Sequence, residues 1–309
     1  MYKLNYYILT MLLLLLLAGC KKEAALQPSN RDENYLVVKD NPSDPVDHAI
    51  YQFYQATGVP VFYNDTIARE QIGDNDGVPR YSYIKLATAY SPSGINTFLF
   101  FKLMSKKEKV LPMLPFLKDK VLPRINGVLP VHSILLVDST RLRGSTGYGT
   151  TTTVNKPYAG FNTVIIKAVR ADTVSEAGQK RYVASVLAMI MLKRLNSTYI
   201  ERLDADFHSI TINSLPNFRG PIYGQLLSVL APDGSLTLGD IGFIMSNPQI
   251  PSGEGAPYQQ DDLIAYLEAL FFYDTTAQFE AAYAAYPLVL QKFKVIKGLA
   301  KEIGFRFAD

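Results

Sequence analysis

Residues 175–196 have the sequence SEAGQKRYVASVLAMIMLKRLN, which predicts a long helix at the centre of the fold. Ser175 is suited to cap the first turn of a helix, and Glu176 places negative charge at the positive end of the helix dipole. Lys193 and Arg194 place positive charge in the last turn. Between these ends the residues are apolar on nearly every face, which predicts a central helix that is buried on most sides.

Two apolar, β-branched runs precede this helix and predict a sheet. Residues 131–137 and 163–169 have the length and composition of strands, and we expect both in one sheet. The polar stretch at 138–162 is predicted to connect them. The other predicted elements are a strand at 59–63, a partly helical stretch at 102–122 that Pro112 and Pro115 interrupt, and helices at 46–57, 261–273 and 287–303, the last ended by Gly304.

The N-terminal residues predict export and lipid attachment. Lys3 precedes an apolar run at residues 8–17, and the sequence LAGC at 17–20 is a lipobox. The run is too short for a hydrocarbon core that needs about 20 apolar residues, so a cleavable signal peptide at 1–19 is favoured over a membrane-spanning anchor. Cys20 is the only cysteine, and its lipidation would leave no disulfide and no thiol nucleophile.

A flexible tether is predicted between the signal peptide and the folded part. Residues 20–46 are polar and rich in Pro, Asn and Asp, a composition that favours a tether over a packed element. Cleavage before Cys20 would leave 309 − 19 = 290 residues and lower the formal charge from +3 to +2. Because the basic residues are scattered, we expect no nucleic-acid partner. We expect one domain at 47–309.

Two glycine-containing segments are predicted to be turns. The sequence GDNDG at 73–77 alternates polar oxygens before a glycine, but it lacks the later glutamate of a calcium loop. The sequence GSTGYG at 144–149 lacks the Gly-Lys-Ser/Thr ending of a phosphate loop. A turn is favoured for the first segment and a flexible loop or hairpin tip for the second.

Two of the three histidines are predicted to be structural. His48 lies in the predicted first helix, where a surface position is favoured. His132 lies in an apolar strand, where a hydrogen-bonded core histidine is favoured over a ligand. No Gly-x-Ser-x-Gly sequence accompanies any histidine, so a serine nucleophile elbow is not predicted.

The third histidine belongs to a compact polar cluster after the central helix. His208 is close in sequence to three acids, which are Glu201, Asp204 and Asp206. One imidazole and three carboxylates could hold a cation, which makes this cluster an alternative metal site. A solvated loop is the favoured interpretation.

Several short motifs together resemble a known family. They are the lipobox, SILLV at 133–137, SVL at 185–187, GFIMS at 242–246, DDL at 261–263, and YP at 286–287 followed by Lys292, Val295 and Ile296. The chain resembles zinc-metallohydrolase lipoproteins of Bacteroidetes, which are associated with starch-utilisation-type, TonB-dependent importers. The resemblance implies an α+β, zincin-like metallopeptidase-type domain with a mixed sheet and a buried central helix. In that family the helix carries a His-Glu-x-x-His zinc motif.

The zinc motif is degenerate in this sequence. The match places Ala188, Met189 and Leu192 at the positions of His, Glu and His, and it places Ala265 at the third ligand. These side chains supply neither the N, O or S donors that zinc requires nor the general base. No His, Asp or Glu occurs at 177–200, so a shifted alignment does not restore the site. Glu268, one turn beyond Ala265, is predicted to be a solvated or ion-paired residue.

The resemblance without the motif implies a non-catalytic binding or accessory lipoprotein of outer-membrane nutrient import, on the periplasmic face or the cell surface. We expect no cofactor. The expected partners are the membrane through the lipid, a TonB-dependent importer with its SusD-like lipoprotein, and a peptide or glycan held at a sheet edge or near residues 258–286. The alternative is a peptidase or other hydrolase with a relocated site near His208.

Overall fold

The computed structural model describes residues 33–88, 99–125, 127–146, 149–170, 173–248, 250 and 254–307. A compact unit extends over Tyr35–Asp309. The predicted signal peptide and Cys20 lie outside the described residues. Among the described residues, no helix is both long and apolar enough to cross a bilayer.

The first helix, α1 (Pro45–Thr57), begins and ends as its sequence predicts. The Asp44 side chain caps it by accepting hydrogen bonds from the backbone of Val46 and Asp47. Gly58 ends it with a φ of 71°, a conformation that glycine adopts without strain. His48 lies on this helix and its side chain is 39% exposed, which confirms the predicted surface position.

A two-stranded antiparallel ribbon follows, formed by β2 (Thr66–Asn75) and β3 (Val78–Lys85). Its tip confirms the predicted turn. The Asp74 carboxylate accepts a hydrogen bond of 2.6 Å from the Gly77 backbone, and Asp76 and Gly77 both have positive φ. These contacts are those of a polar hairpin turn, in which Asp side chains commonly bind the backbone.

The stretch predicted to be partly helical begins as a strand. Lys102 lies in β4 (Leu99–Leu103), which pairs antiparallel with the next long strand. Short helical turns follow at Lys107–Val110, at α2 (Met113–Phe116), at Leu117–Val121 and at Leu122–Arg124. The prediction was therefore wrong at its start, because the strand pairing that fixes Lys102 is a contact distant in sequence.

The main sheet is mixed and is centred on β5 (Ile134–Thr146). The order is β1 (Val61–Phe62), β5, β8 (Val164–Lys167) and β7 (Tyr158–Ala159), and β5 also pairs with β4 and with β6 (Gly149–Val154). β1 and β8 run parallel to β5, whereas β4 and β6 are antiparallel to it. The predicted pairing of two apolar strands in one sheet is confirmed.

Three details of the sheet differ from prediction. The strand predicted at 59–63 is only Val61–Phe62. β5 continues through the polar residues to Thr146 and forms a hairpin with β6, so 138–162 is not simply a connection. The tip of this hairpin, at 147–148, lies outside the described residues. His132 is exposed just before β5 begins, so the prediction of a core histidine was wrong.

The central helix, α3 (Glu176–Thr198), confirms the strongest prediction from the sequence. Ser175 caps it by accepting a hydrogen bond from the Gly178 backbone. The β5 and β8 side chains alternate between the two faces of the sheet: those of Ile134, Leu136, Val164 and Ile166 pack in the same core as α3, whereas Leu135, Val137 and Ile165 pack with Leu86 and Leu99. Burial on both faces explains why these strands are continuously apolar.

The C-terminal half is helical and places the polar side chains described below. Three longer elements lie near the end of the chain: α7 (Gln259–Phe272), α8 (Thr276–Ala282) and α9 (Pro287–Ile303), which Gly304 ends. α7 packs against both α3 and α9. Before them the chain forms α4 (Ile200–Arg202), a π-helical turn at Leu203–His208, α5 (Ser209–Ile212) and α6 (Leu227–Leu230).

Candidate functional site

The positions matched to the zinc motif lie in the apolar core. Ala188, Met189 and Leu192 are 0%, 9% and 4% exposed, and all three belong to the largest cluster of buried apolar residues. Ala265 is half-buried on α7. Glu268 lies 2.8 Å from the Lys156 ammonium, which confirms its prediction as an ion-paired helix residue. This part of the fold offers packing surface, and its described residues form no cluster of metal donors.

The structure does not bring together the four side chains of the alternative metal site. His208 is 6% exposed, whereas Glu201, Asp204 and Asp206 are exposed. Asp206 pairs instead with Arg202 at 3.5 Å. Among the described residues, no group of three or more His, Cys, Asp or Glu is arranged to hold a metal ion.

The predicted solvated loop at this position was also wrong. The chain continues as a helix through the π-helical turn, which buries His208 together with Phe207. The helix thereby leaves the carboxylates at the surface and carries the imidazole into the protein.

A fully buried ion pair connects α7 and α9. Lys292 lies on α9, and Asp262 lies in the first turn of α7; both residues are 0% exposed. Lys292 Nζ is 2.5 Å from Asp262 Oδ2 and 3.0 Å from Thr211 Oγ1. Four aromatic rings lie around the ammonium, with centroids 4.4 Å (Phe207), 4.9 Å (Phe243), 5.1 Å (Tyr266) and 5.9 Å (Tyr223) away.

Tyr223 and His208 extend this pair into a hydrogen-bonded network. The Tyr223 hydroxyl donates to Asp262 Oδ2 at 3.0 Å, and its oxygen is 3.1 Å from His208 Nδ1. A phenol has one proton to donate, so His208 Nδ1 carries a proton and donates to Tyr223. Thr211 Oγ1 donates to the Ile241 carbonyl and accepts from Lys292. Asp262 Oδ1 is buried and has no hydrogen-bond partner among the described residues.

Burial shifts the protonation equilibria of the network toward neutral groups. Loss of solvent raises the pKa of Asp262 to about 6, although the ammonium of Lys292 and the hydroxyl of Tyr223 favour the carboxylate. Burial lowers the pKa of Lys292, against the attraction of Asp262. The pKa of His208 is lowered to about 4, first by burial and then by the charge of Lys292. The imidazole is therefore neutral near pH 7.

A surface groove reaches this network at Tyr223. It has a volume of about 580 Å³ and lies between the segment after α5 and the start of α7. Among the described residues, no charged side chain lines it. The lining residues are Ile212, Gly220, Pro221, Ile222, Tyr223, Tyr258, Gln259 and Gln260, and we call this cavity the Tyr223–Tyr258 groove.

The sequence contained a signal for the buried pair that its interpretation missed. Lys292 lies one turn from Val289 and Ile296 on the buried stripe of α9, where an apolar residue is expected. On α7, Asp262 likewise lies one turn from the buried residue Tyr266. A charged residue on a buried stripe indicates an internal partner, because an unpaired buried charge is strongly unfavourable.

Comparisons with known proteins identify no relative. No protein-family model matches the chain, and no similar chain is found among curated proteins or among solved structures.

Proposed function

We propose that the chain is a non-catalytic binding lipoprotein that captures a neutral oligosaccharide in the Tyr223–Tyr258 groove. The groove itself is the observation that supports this function. Two tyrosines and two glutamines line it, and the part of the chain that the structure describes adds no charged side chain to the lining. Aromatic rings offer apolar faces to the C–H surfaces of a sugar, and amides supply both donors and acceptors for hydroxyl groups.

The wall formed by Tyr223 is fixed before any ligand binds. Its hydroxyl is held by Asp262 and His208, and its ring packs edge-to-face against Phe243 at a centroid distance of 5.3 Å. A side chain that is already ordered loses little conformational entropy on binding. This arrangement favours a binding surface on this side of the groove.

The metallopeptidase resemblance contributes the non-catalytic part of the proposal. A mixed sheet with a buried central helix agrees with a zincin-like domain at the level of fold class. The apolar side chains of Ala188, Met189 and Leu192 support a relative that has lost the zinc chemistry. A fold carries no activity without its site, so the family's reaction is not transferred.

The cellular setting rests on the lipobox and the resemblance. We propose lipid attachment at Cys20, location at the outer membrane, and an accessory role beside a TonB-dependent importer and its SusD-like lipoprotein. Recovery of these two proteins with the chain from detergent-solubilised native membranes is the expected result. Recovery of neither would contradict the import role and leave the groove proposal to its own test.

The ligand class is tested on an array that carries neutral oligosaccharides, acidic oligosaccharides and peptides. We expect the purified chain to be retained on neutral oligosaccharides only. Tyr258→Ala should raise the Kd at least about tenfold, which corresponds to ~1.4 kcal/mol. Tyr83→Ala is the matched control, because Tyr83 is 59% exposed on β3 and is not among the residues that line the groove. Retention on peptides or acidic sugars alone, or an unchanged Kd for Tyr258→Ala, would contradict the proposal.

A hydrolase is the second candidate, and one observation favours it. The hydrogen-bonded chain from His208 through Tyr223 to Asp262 adjoins the groove. A hydrolase of this kind would release cleaved sugar or peptide, and Tyr223→Phe would abolish the release. Intact ligand after prolonged incubation with the wild-type chain would exclude this candidate.

A further inference from the structure

Lys292 and Asp262 are placed as the two reactants of an amide-forming condensation. Their reactive groups lie 2.5 Å apart, Nζ to Oδ2, and both side chains are shielded from solvent. The four surrounding rings make the site apolar. Water that would compete for the carbonyl carbon or hydrate the ammonium is thereby excluded.

We propose that Lys292 and Asp262 join through an intramolecular amide bond, which covalently links α9 to α7. The lone pair of neutral Lys292 Nζ attacks Cγ of the protonated Asp262 carboxyl group. The Nζ–Cγ bond forms, the Cγ–Oδ1 bond breaks, and Oδ1 leaves as water with one proton from Nζ and the carboxyl proton. The condensation changes no oxidation state, so it requires no oxidant, reductant or other reactant.

The hydrogen bonds around the pair already match those of the product. Thr211 Oγ1, 3.0 Å from Nζ, is positioned to accept from the single N–H of the amide. Tyr223, whose hydroxyl donates to Oδ2 at 3.0 Å, is positioned to donate to the amide carbonyl. The same hydroxyl would stabilise negative charge on Oδ2 when Nζ attacks.

The reaction also removes the unfavourable features of the unlinked pair. Asp262 Oδ1 has no partner among the described residues, and it is the oxygen that leaves. Two buried charges, whose desolvation opposes their attraction, become one neutral group. The pKa directions are consistent with the reactive forms, because burial raises the pKa of Asp262 and lowers that of Lys292.

Peptide mapping of the purified full chain tests the bond. No Lys or Arg occurs at 220–291, so trypsin leaves both residues in one peptide, and an amide at Lys292 moves its end from residue 292 to Lys294. A second protease that cleaves after glutamate cuts at Glu268 and Glu280, between the two linked residues. We expect the fragments 255–268 and 281–294 to remain joined, with a mass lower than their sum by one water.

Two variants and one competing reaction complete the test. The Lys292→Arg variant has no primary amine at residue 292, so its fragments 255–268 and 281–292 should be separate. In the Lys294→Arg variant, the fragments that contain Asp262 and Lys292 should remain joined. Fragments 255–268 and 281–292 that are separate in every molecule of the wild-type chain would overturn the proposal. The proposal would also be overturned if the only peptides with a mass lower by one water contained Asp76–Gly77 or Asp233–Gly234. A water loss at these positions indicates a backbone succinimide.

Discussion

The ring of Tyr258 lies against the backbone of Gly224 so closely that a Cβ atom at residue 224 would be 2.8 Å from a ring carbon. Gly224 also has a φ of 78°, in the region that L side chains rarely adopt. Glycine is therefore required at this position for two separate reasons. The contact holds Tyr258 as one wall of the Tyr223–Tyr258 groove.

Gly224→Ala is expected to weaken oligosaccharide binding by displacing the Tyr258 ring. Gly234→Ala is the matched control, because Gly234 has a φ of 74° but nothing within 4 Å of an added Cβ. Both variants should lose roughly 1–2 kcal/mol of folding stability through backbone strain. Calorimetric titration should show weaker binding only for Gly224→Ala. Equal affinities for the two variants would show that the Tyr258 position does not matter to the ligand.

Leu192→Ala is expected to behave as a cavity mutation. Leu192 is 4% exposed in the core, so the free energy of unfolding should fall by about 2–5 kcal/mol. Arg194→Ala, at an exposed position on the same helix, should change it by less than about 0.5 kcal/mol. Urea unfolding of both variants measures the difference. A similar loss in both would contradict the assignment of Leu192 to the core.

EDTA should leave the melting temperature of the wild-type chain unchanged. The helix α3, which carries Leu192, is held by apolar contacts. A structural zinc would instead contribute several kcal/mol to folding. Differential scanning calorimetry with and without EDTA makes the comparison. A lower melting temperature in EDTA would show that a bound metal supports the fold.

Acid should destabilise the fold through His208. Its pKa is lowered from 6.5 to about 4 by burial, so between these values the unfolded chain binds more protons than the folded chain. Stability from this group is fully present above pH 6.5 and is lost as the pH falls toward 4. The loss is at most about 3 kcal/mol.

The contribution of His208 is isolated by subtraction, because in any chain whose Asp262 is not linked to Lys292 the raised pKa of Asp262 acts in the opposite direction over pH 4–6. As the pH falls from 6.5 to 4, the free energy of unfolding should decrease more for the wild type than for His208→Gln. His132→Gln, at the exposed position just before β5, is the control and should follow the wild type. Parallel curves for wild type and His208→Gln would contradict the buried neutral imidazole.

Cys20→Ala is expected to abolish membrane retention, since one cysteine carries the entire predicted anchor. Labelling with a radioactive fatty acid and membrane fractionation measure the effect. Label on the variant, together with its continued presence in the membrane fraction, would refute lipid attachment at Cys20.

Local signals predicted much of the fold. Ser175 and Gly304 each act on a neighbouring helix end, and the structure confirms both as helix-terminal residues. The continuous apolar runs of β5 and β8 were recognisable because both sheet faces are buried. These features depend on residues close in sequence or on composition alone.

Contacts distant in sequence limited the remaining predictions. Lys102 lies in a strand because it pairs with Ser139, and no local pattern distinguishes that from a helix. The site depends on Lys292 and Asp262, which are 30 residues apart, and on Thr211, 81 residues from Lys292. His208 was recognised as a polar residue of interest, but its burial follows from the π-helical turn and not from its acidic neighbours.

The zinc content of the purified and dialysed chain is the most direct measurement for the proposal that this chain is a non-catalytic protein without a zinc site. Ala188, Met189 and Leu192 provide no ligand, so we expect far less than one zinc per chain by elemental analysis. A value near one zinc per chain, with peptide cleavage that chelation abolishes, would contradict the proposal of a non-catalytic binding protein.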